Sequence, residues 1–243
     1  MNSQDFELRE YSSTNSEREW VSSDAFPVLL RKVYLWMSLA LVITGLTAFG
    51  VATSPGVLQM VYGNSTVMWV VIIAELALVL GLSAAINRLS LAVATLMFIV
   101  YSLLNGVVLS SIFLIYTATS ISTVFFITAG TFAAMAFIGY TTKADLSKMG
   151  KILMMALIGI IIASVVQIFF AKSTMFELVI SYACVLVFVG LTAWDSQKIK
   201  KMLLEAPDAG ENAQKIALLG ALTLYLDFIN LFIHLLRIFG KRE

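Results

Sequence analysis

Leu224-Tyr-Leu-Asp-Phe-Ile-Asn-Leu-Phe-Ile-His-Leu-Leu-Arg-Ile-Phe-Gly240 is the stretch whose reading decides the fold. It has the length and apolarity of a membrane-spanning helix, yet Asp227 stands near its middle. An ionisable side chain at that depth costs at least about 2.5 kcal/mol on insertion scales. Helical spacing puts Thr223, Asp227, Asn230, His234 and Arg237 on one stripe, in steps of three and four residues. The other faces carry Leu, Ile and Phe. A polar stripe on a membrane helix must face protein or water, so this helix is expected inside a bundle. Two readings stay open: a hydrogen-bonded stripe that joins helices, or a proton or ion site on Asp227.

The chain of 243 residues is 60% hydrophobic and 13% charged. A soluble domain carries about 25% charged residues, so the class is all-α and polytopic, and one membrane domain suffices. The formal net charge of +1 argues against a nucleic-acid partner. Cys184 is the single cysteine and lies in an apolar run, so it forms no internal disulfide and reads as a small buried hydrophobe. There is no CxxC, no zinc-ligand spacing and one histidine. No cleavable signal peptide is expected, because the first long apolar run starts near Val33 and is long enough to span. Residues 1–26 are polar and serine-rich, with Asp5, Glu7, Glu10, Glu17, Glu19 and Asp24 against Arg9 and Arg18. Such a tail cannot bury a core and is expected to be disordered. The membrane domain is expected over 27–243.

Seven spans follow: Val33–Thr53, Val67–Asn87, Leu91–Tyr116, Ile121–Thr142, Ile152–Ala171, Phe176–Asp195 and Ile216–Phe239. Ser54-Pro-Gly-Val reads as a turn after the first. The pairs Gly130/Ala134 and Gly159/Ala163 are spaced for close helix approach. No internal repeat is visible, which disfavours an inverted-repeat transporter. Lysine and arginine give the orientation. The first, third and fifth loops hold only Lys172. The opposite side holds Arg31, Lys32, Arg88, Lys143, Lys148, Lys151, Lys198, Lys200, Lys201 and Lys215, so the amino terminus is expected in the cytoplasm. Seven crossings would leave Lys241 and Arg242 outside, and a re-entrant last segment would return them. The length of Ile216–Phe239 favours a full crossing.

Three acids fall within or at the ends of spans: Glu75, Asp195 and Asp227. Asp195 is an ordinary wet helix end if the sixth helix stops there. The pattern runs on, however, since Ile199, Met202 and Leu203 continue its face at four, seven and eight residues, while Lys200 and Lys201 can snorkel. A sixth helix that projects past Asp195 brings it level with Asp227. Two carboxylates in one low-dielectric site cannot both ionise cheaply, so they hold a proton between them and titrate as a pair. When ionised they are hard oxygen ligands suited to transient calcium. Arg88 lies at the level of Asp195 and is either its partner or a positive-inside anchor. Glu75 is equally a buried hydrogen bond or part of an ion path. His234 reads as a packing residue before a metal ligand.

Leu224–Ile233 followed by Leu235-Leu-Arg resembles the carboxy-terminal signature of the Bax-inhibitor-motif family, and Asp195-Ser-Gln-Lys-Ile resembles its companion aspartate segment. The resemblance extends over roughly residues 30–240. It implies a seven-helix fold with the last helix surrounded by the other six. It also implies a pH-sensitive calcium leak in which the aspartates matching Asp195 and Asp227 share protons. Asn230 and His234 would extend the path. The family's second-helix arginine latches the sixth-helix aspartate. Here Ala85-Ile-Asn-Arg-Leu offers the single Arg88 where relatives carry a basic cluster. Glu75 resembles an intramembrane glutamate of relatives. Eukaryotic members modulate cell death.

The leading expectation is therefore a proton-gated calcium leak of a prokaryotic inner membrane, without cofactor, whose partners are the bilayer, protons and calcium as permeant ion. A non-conducting regulator that binds other membrane proteins and a proton-coupled transporter are the alternatives. An intramembrane aspartyl protease is disfavoured, because Asp227 follows Leu-Tyr-Leu where Gly-x-Gly would be required. A serine protease lacks Gly-x-Ser-x-Gly beside His234.

Overall fold

The computed structural model describes residues 25–167, 173–206 and 208–242. The expectation of disorder for the acidic tail lies outside the described residues, apart from its last two positions. The chain is all helix among the described residues, with one isolated β-bridge between Tyr116 and Arg242. In order the helices are α1 (Ser3–Ala52), α2 (Pro55–Tyr62), α3 (Ser65–Ala85), α4 (Leu91–Leu109), α5 (Ile112–Ile115), α6 (Ala118–Thr141), α7 (Ser147–Phe170), α8 (Thr174–Leu204) and α9 (Glu211–Phe239). Seven segments are long and apolar enough to cross a membrane, the third combining α4 and α5.

Local chemistry explains several boundaries. Pro55 opens α2, where a missing N–H costs nothing, so the turn read at Ser54-Pro-Gly becomes a short helix. The Asn64 side chain accepts from Thr66 N at 3.0 Å, and Thr117 Oγ1 accepts from Ser120 N at 3.3 Å, which caps α3 and α6. Between α4 and α5 the hydroxyls of Ser110 and Ser111 bond back to Val107 and Val108 carbonyls, and Tyr62 reaches the same turn.

Burial separates the spans. The window of α9 is 67% buried, against 6% for α3 and α7 and 22–33% for the rest. Four helices, not six, pack along α9: α1, α4, α6 and α8. α3 leans on α4 and α7 on α8, and neither packs along α9 itself. In a bilayer such packing rests on van der Waals fit, because lipid is as apolar as the core. The fit is closest around α8. A Cβ on Gly139 of α6 would run into the Ala193 backbone, and one on Gly150 of α7 into the Trp194 ring. Gly130 and Gly159 do not serve this purpose, since each faces open space; the spacing was right for close approach, but the helices turn those faces outward.

The two ends of the bundle are distinct. At one, Lys32 Nζ donates to Gln214 Oε1 at 2.8 Å, Leu91 N to Glu211 Oε1 at 3.0 Å, and Lys200 Nζ to the Tyr140 carbonyl at 2.8 Å. At the other, Thr117 N donates to the Lys241 carbonyl at 3.1 Å, and Lys241 N to Ser120 Oγ at 3.0 Å. α9 thus runs unbroken from the start of α4 to the start of α6, the full length of the bundle.

Candidate functional site

α8 does not stop at Asp195. It continues nine residues to Leu204, about 14 Å, and Asp195, Ile199 and Leu203 form one buried face. That extension brings Asp195 and Asp227 to the same cavity, a space of about 570 Å³ between α7, α8 and α9. Both carboxyls are buried, at 6% and 4% exposure, and they face each other at hydrogen-bonding range. Asp227 Oδ2 is buried and meets no donor among the described residues. Carboxylates only accept, so a hydrogen bond between these two groups requires a proton on one of them.

The rest of the α9 stripe lines the same cavity through Thr223, Asn230 and His234. Thr223 and Asn230 turn their donors back to the Leu219 and Leu226 carbonyls, at 3.0 and 2.8 Å, and their oxygens accept no hydrogen bond among the described residues. His234 Nδ1 stands 3.4 Å from Ser181 Oγ. One turn further, Arg237 Nε lies 3.8 Å from Glu177 Oε1. The stripe therefore joins the acid pair to an ion pair near the other end of α8 and α9.

Arg88 is not brought to this site. It is exposed in the turn after α3 and forms no ion pair with Asp195 among the described residues. Leu91, three residues on, bonds Glu211 at the start of α9, about 24 Å along that helix from Asp227, and α3 packs on α4, away from α8. The cation beside Asp195 is Lys198, three residues on along α8, whose Nζ lies 5.1 Å from the Trp194 ring centre and which lines the same cavity. Sequence reasoning counted Lys198 only for orientation. Its i,i+3 spacing from Asp195 was the signal.

Glu75 is also apart from the pair. It accepts a hydrogen bond from Asn105 Nδ2, which ties α3 to α4. Beyond it Tyr225 of α9 is fully buried, its hydroxyl 2.7 Å from Thr44 Oγ1, which donates on to the Ser102 carbonyl at 2.9 Å.

The segment of α8 after Asp195 is held from outside. Gln197 accepts from Leu146 N at 2.9 Å and donates to the Ala144 carbonyl at 2.8 Å, gripping the α6–α7 loop with both ends of its amide. Lys201 pairs with Asp145 at 3.0 Å. Hydrogen bonding from Ser147, then from Lys201, lowers the exposed Asp145 carboxyl to about 2. Among the described residues no three His, Cys, Asp or Glu side chains gather into a metal cluster.

The profile of the family described as Inhibitor of apoptosis-promoting Bax1 matches residues 27–243. The chain is 50% identical over 216 residues to Inner membrane protein YbhL of Escherichia coli K12, covering 88% of this chain and 92% of that one. It is 45% identical over 214 residues to an uncharacterized protein of Borreliella burgdorferi, with 88% and 92% covered. An uncharacterized membrane protein of Streptococcus pyogenes is 43% identical over 171 residues, with 70% and 73% covered. None of these names describes an enzyme.

Proposed function

The chain belongs to the family of the inhibitor of apoptosis-promoting Bax1, a family of multi-pass integral membrane proteins, and from that premise we propose that it is a pH-sensitive calcium leak gated by Asp195 and Asp227. The observation that carries the reading is Asp227 Oδ2, buried without a donor against a second carboxyl. With one proton between them, the two groups hydrogen-bond and tie α8 to α9. Without it, two like charges share a low-dielectric cavity and repel, which favours separation of the helices or entry of a cation. Two carboxylates offer at most about four of the six to eight oxygens that calcium takes, so the ion is held weakly and passes. The oxygens of Thr223 and Asn230 extend the acceptor lining toward His234. Lys198 is the countercharge in place at the pair; Arg88 has no part in this proposal.

The name of the Escherichia coli relative supports placement in a bacterial inner membrane, and the lysines and arginines gathered at one end support a cytoplasmic amino terminus. The test is calcium flux into proteoliposomes across about pH 5 to 8, the breadth over which a coupled pair titrates. Flux through the wild type rises with pH, and Asp227→Asn and Asp195→Asn remove the dependence. If both variants keep wild-type flux and pH profile, the gate is elsewhere. Flux that follows an imposed proton gradient, and not pH itself, would make the protein a proton-coupled transporter. A calcium-tight protein that co-purifies with another membrane protein would make it a non-conducting regulator.

A further inference from the structure

The acid cavity is not the largest space in the bundle. Between α1 and α6, which both pack on α9 but not along each other, lies a groove of about 780 Å³. Its walls run from Leu30 to Gly45 on α1 and from Phe125 to Tyr140 on α6, and Phe228 of α9 forms its floor. Fifteen helical steps on each wall make it about 22 Å long. A second apolar space of about 380 Å³ continues it toward Ile112 and Ile121. The groove opens sideways, since Val42, Gly45, Ala133 and Phe137 on its rims are all exposed.

Its lining is apolar except for Ser38, midway on the α1 wall, and for Tyr34 of α1 and Tyr140 of α6 toward one end. Lys200 crosses from α8, with its Nζ 4.6 Å from the Tyr140 ring centre and one of its donors on the Tyr140 carbonyl. Among the described residues the remaining ammonium donors meet no acceptor. Arg31 is exposed one turn from Tyr34 on the same helix. The nearby acid of the α6–α7 loop, Asp145, is already engaged by Lys201. The mouth is therefore cationic and rich in donors, and an apolar slot leads from it into the bundle.

We propose that this groove is a binding site for an anionic phospholipid, with one acyl chain against Phe228 and the phosphate held by Lys200, Tyr34 and Tyr140. The length fits: half of a hydrocarbon core is about 15 Å, so a single chain entering from the basic end is accommodated along the groove. The charge fits as well, because a basic cluster at headgroup level selects anionic over zwitterionic lipid. A packed helix of a second copy would account for the apolar rims but gives no reason for the lysine and two phenols at one end. Phe228 follows Asp227 directly, so the chain in the groove would lie against a face of the helix about 100° around from the buried acid.

The experiment is native mass spectrometry of the full-length protein extracted from vesicles of equimolar phosphatidylglycerol and phosphatidylcholine. The wild type should retain one phosphatidylglycerol, about fivefold in preference to phosphatidylcholine. Lys200→Gln should bring the two lipids to equal retention. Gly45→Leu should lose both, and it should fold, because an added Cβ at Gly45 meets nothing within 4 Å. Equal retention of the two lipids by the wild type would overturn the site, as would undiminished phosphatidylglycerol on Gly45→Leu. Disulfide cross-linking of Ala133→Cys between two chains in the membrane would overturn it too, by showing that another copy fills the groove. None of these readouts depends on calcium flux.

Discussion

Glu75 and Asp227 meet the cost of an intramembrane carboxyl in different ways. Glu75 sits half-buried between α3 and α4, where the Asn105 amide donates to it, and the bond joins two helices. Asp227 is deeper, has an oxygen without a donor, and faces another acid. The first carboxyl is satisfied by a permanent donor, the second only by a proton that can leave. Membrane proteins retain buried acids at considerable expense, and the difference between these two separates an acid that joins helices from one that can respond to pH.

The contrast is tested first by unequal effects on stability. Glu75→Leu strands the Asn105 amide and should cost about 1 to 2 kcal/mol, the upper range for a buried interhelical hydrogen bond in a membrane, read as a lower Tm in detergent. Asp227→Asn should change stability by less than about 0.5 kcal/mol, because the new amide can donate to Asp195. If the two variants lose stability equally, both acids are structural and the contrast fails. A smaller effect is expected from Tyr225→Phe, which removes the donor to Thr44 and should cost about 1 kcal/mol; its calcium flux should keep its pH profile, since the acid cavity is untouched. The smallest effect belongs to Asp145→Asn. With its carboxyl lowered to about 2, Asp145 contributes stability above its ordinary range near 3.8 and loses it as pH falls through 2. It stays charged from pH 5 to 8, so the flux profile of the variant should overlay that of the wild type; a displaced profile would place part of the pH response in the α6–α7 loop.

Periodicity and composition made much of this readable in advance. The stripe on the last helix was plain from steps of three and four, and the continuation of the α8 face through Ile199 and Leu203 allowed the two acids to be set level. Depth along a helix follows from counting residues. Direction around the bundle does not. Arg88 lies in the turn after a helix that leans on α4, whereas Lys198, on the acid's own helix, was passed over. For the same reason four neighbours of α9 were expected to be six, and Gly130 and Gly159 were assigned to contacts that Gly139 and Gly150 make. The groove between α1 and α6 was equally hidden, because it depends on two helices failing to meet.

The burial of α9 also bears on how the protein is made. The most enclosed span is translated after the six others, so those six reach the bilayer before the helix that they pack against. Until it arrives, the faces of α1, α4, α6 and α8 that it will cover are occupied by lipid or by one another, and Asp195 lacks its partner. The insertion of α9 follows that of the six other spans and completes the packing. A destabilised α9 would leave a six-helix intermediate, with an unpaired acid in the membrane, as a substrate for quality-control proteases.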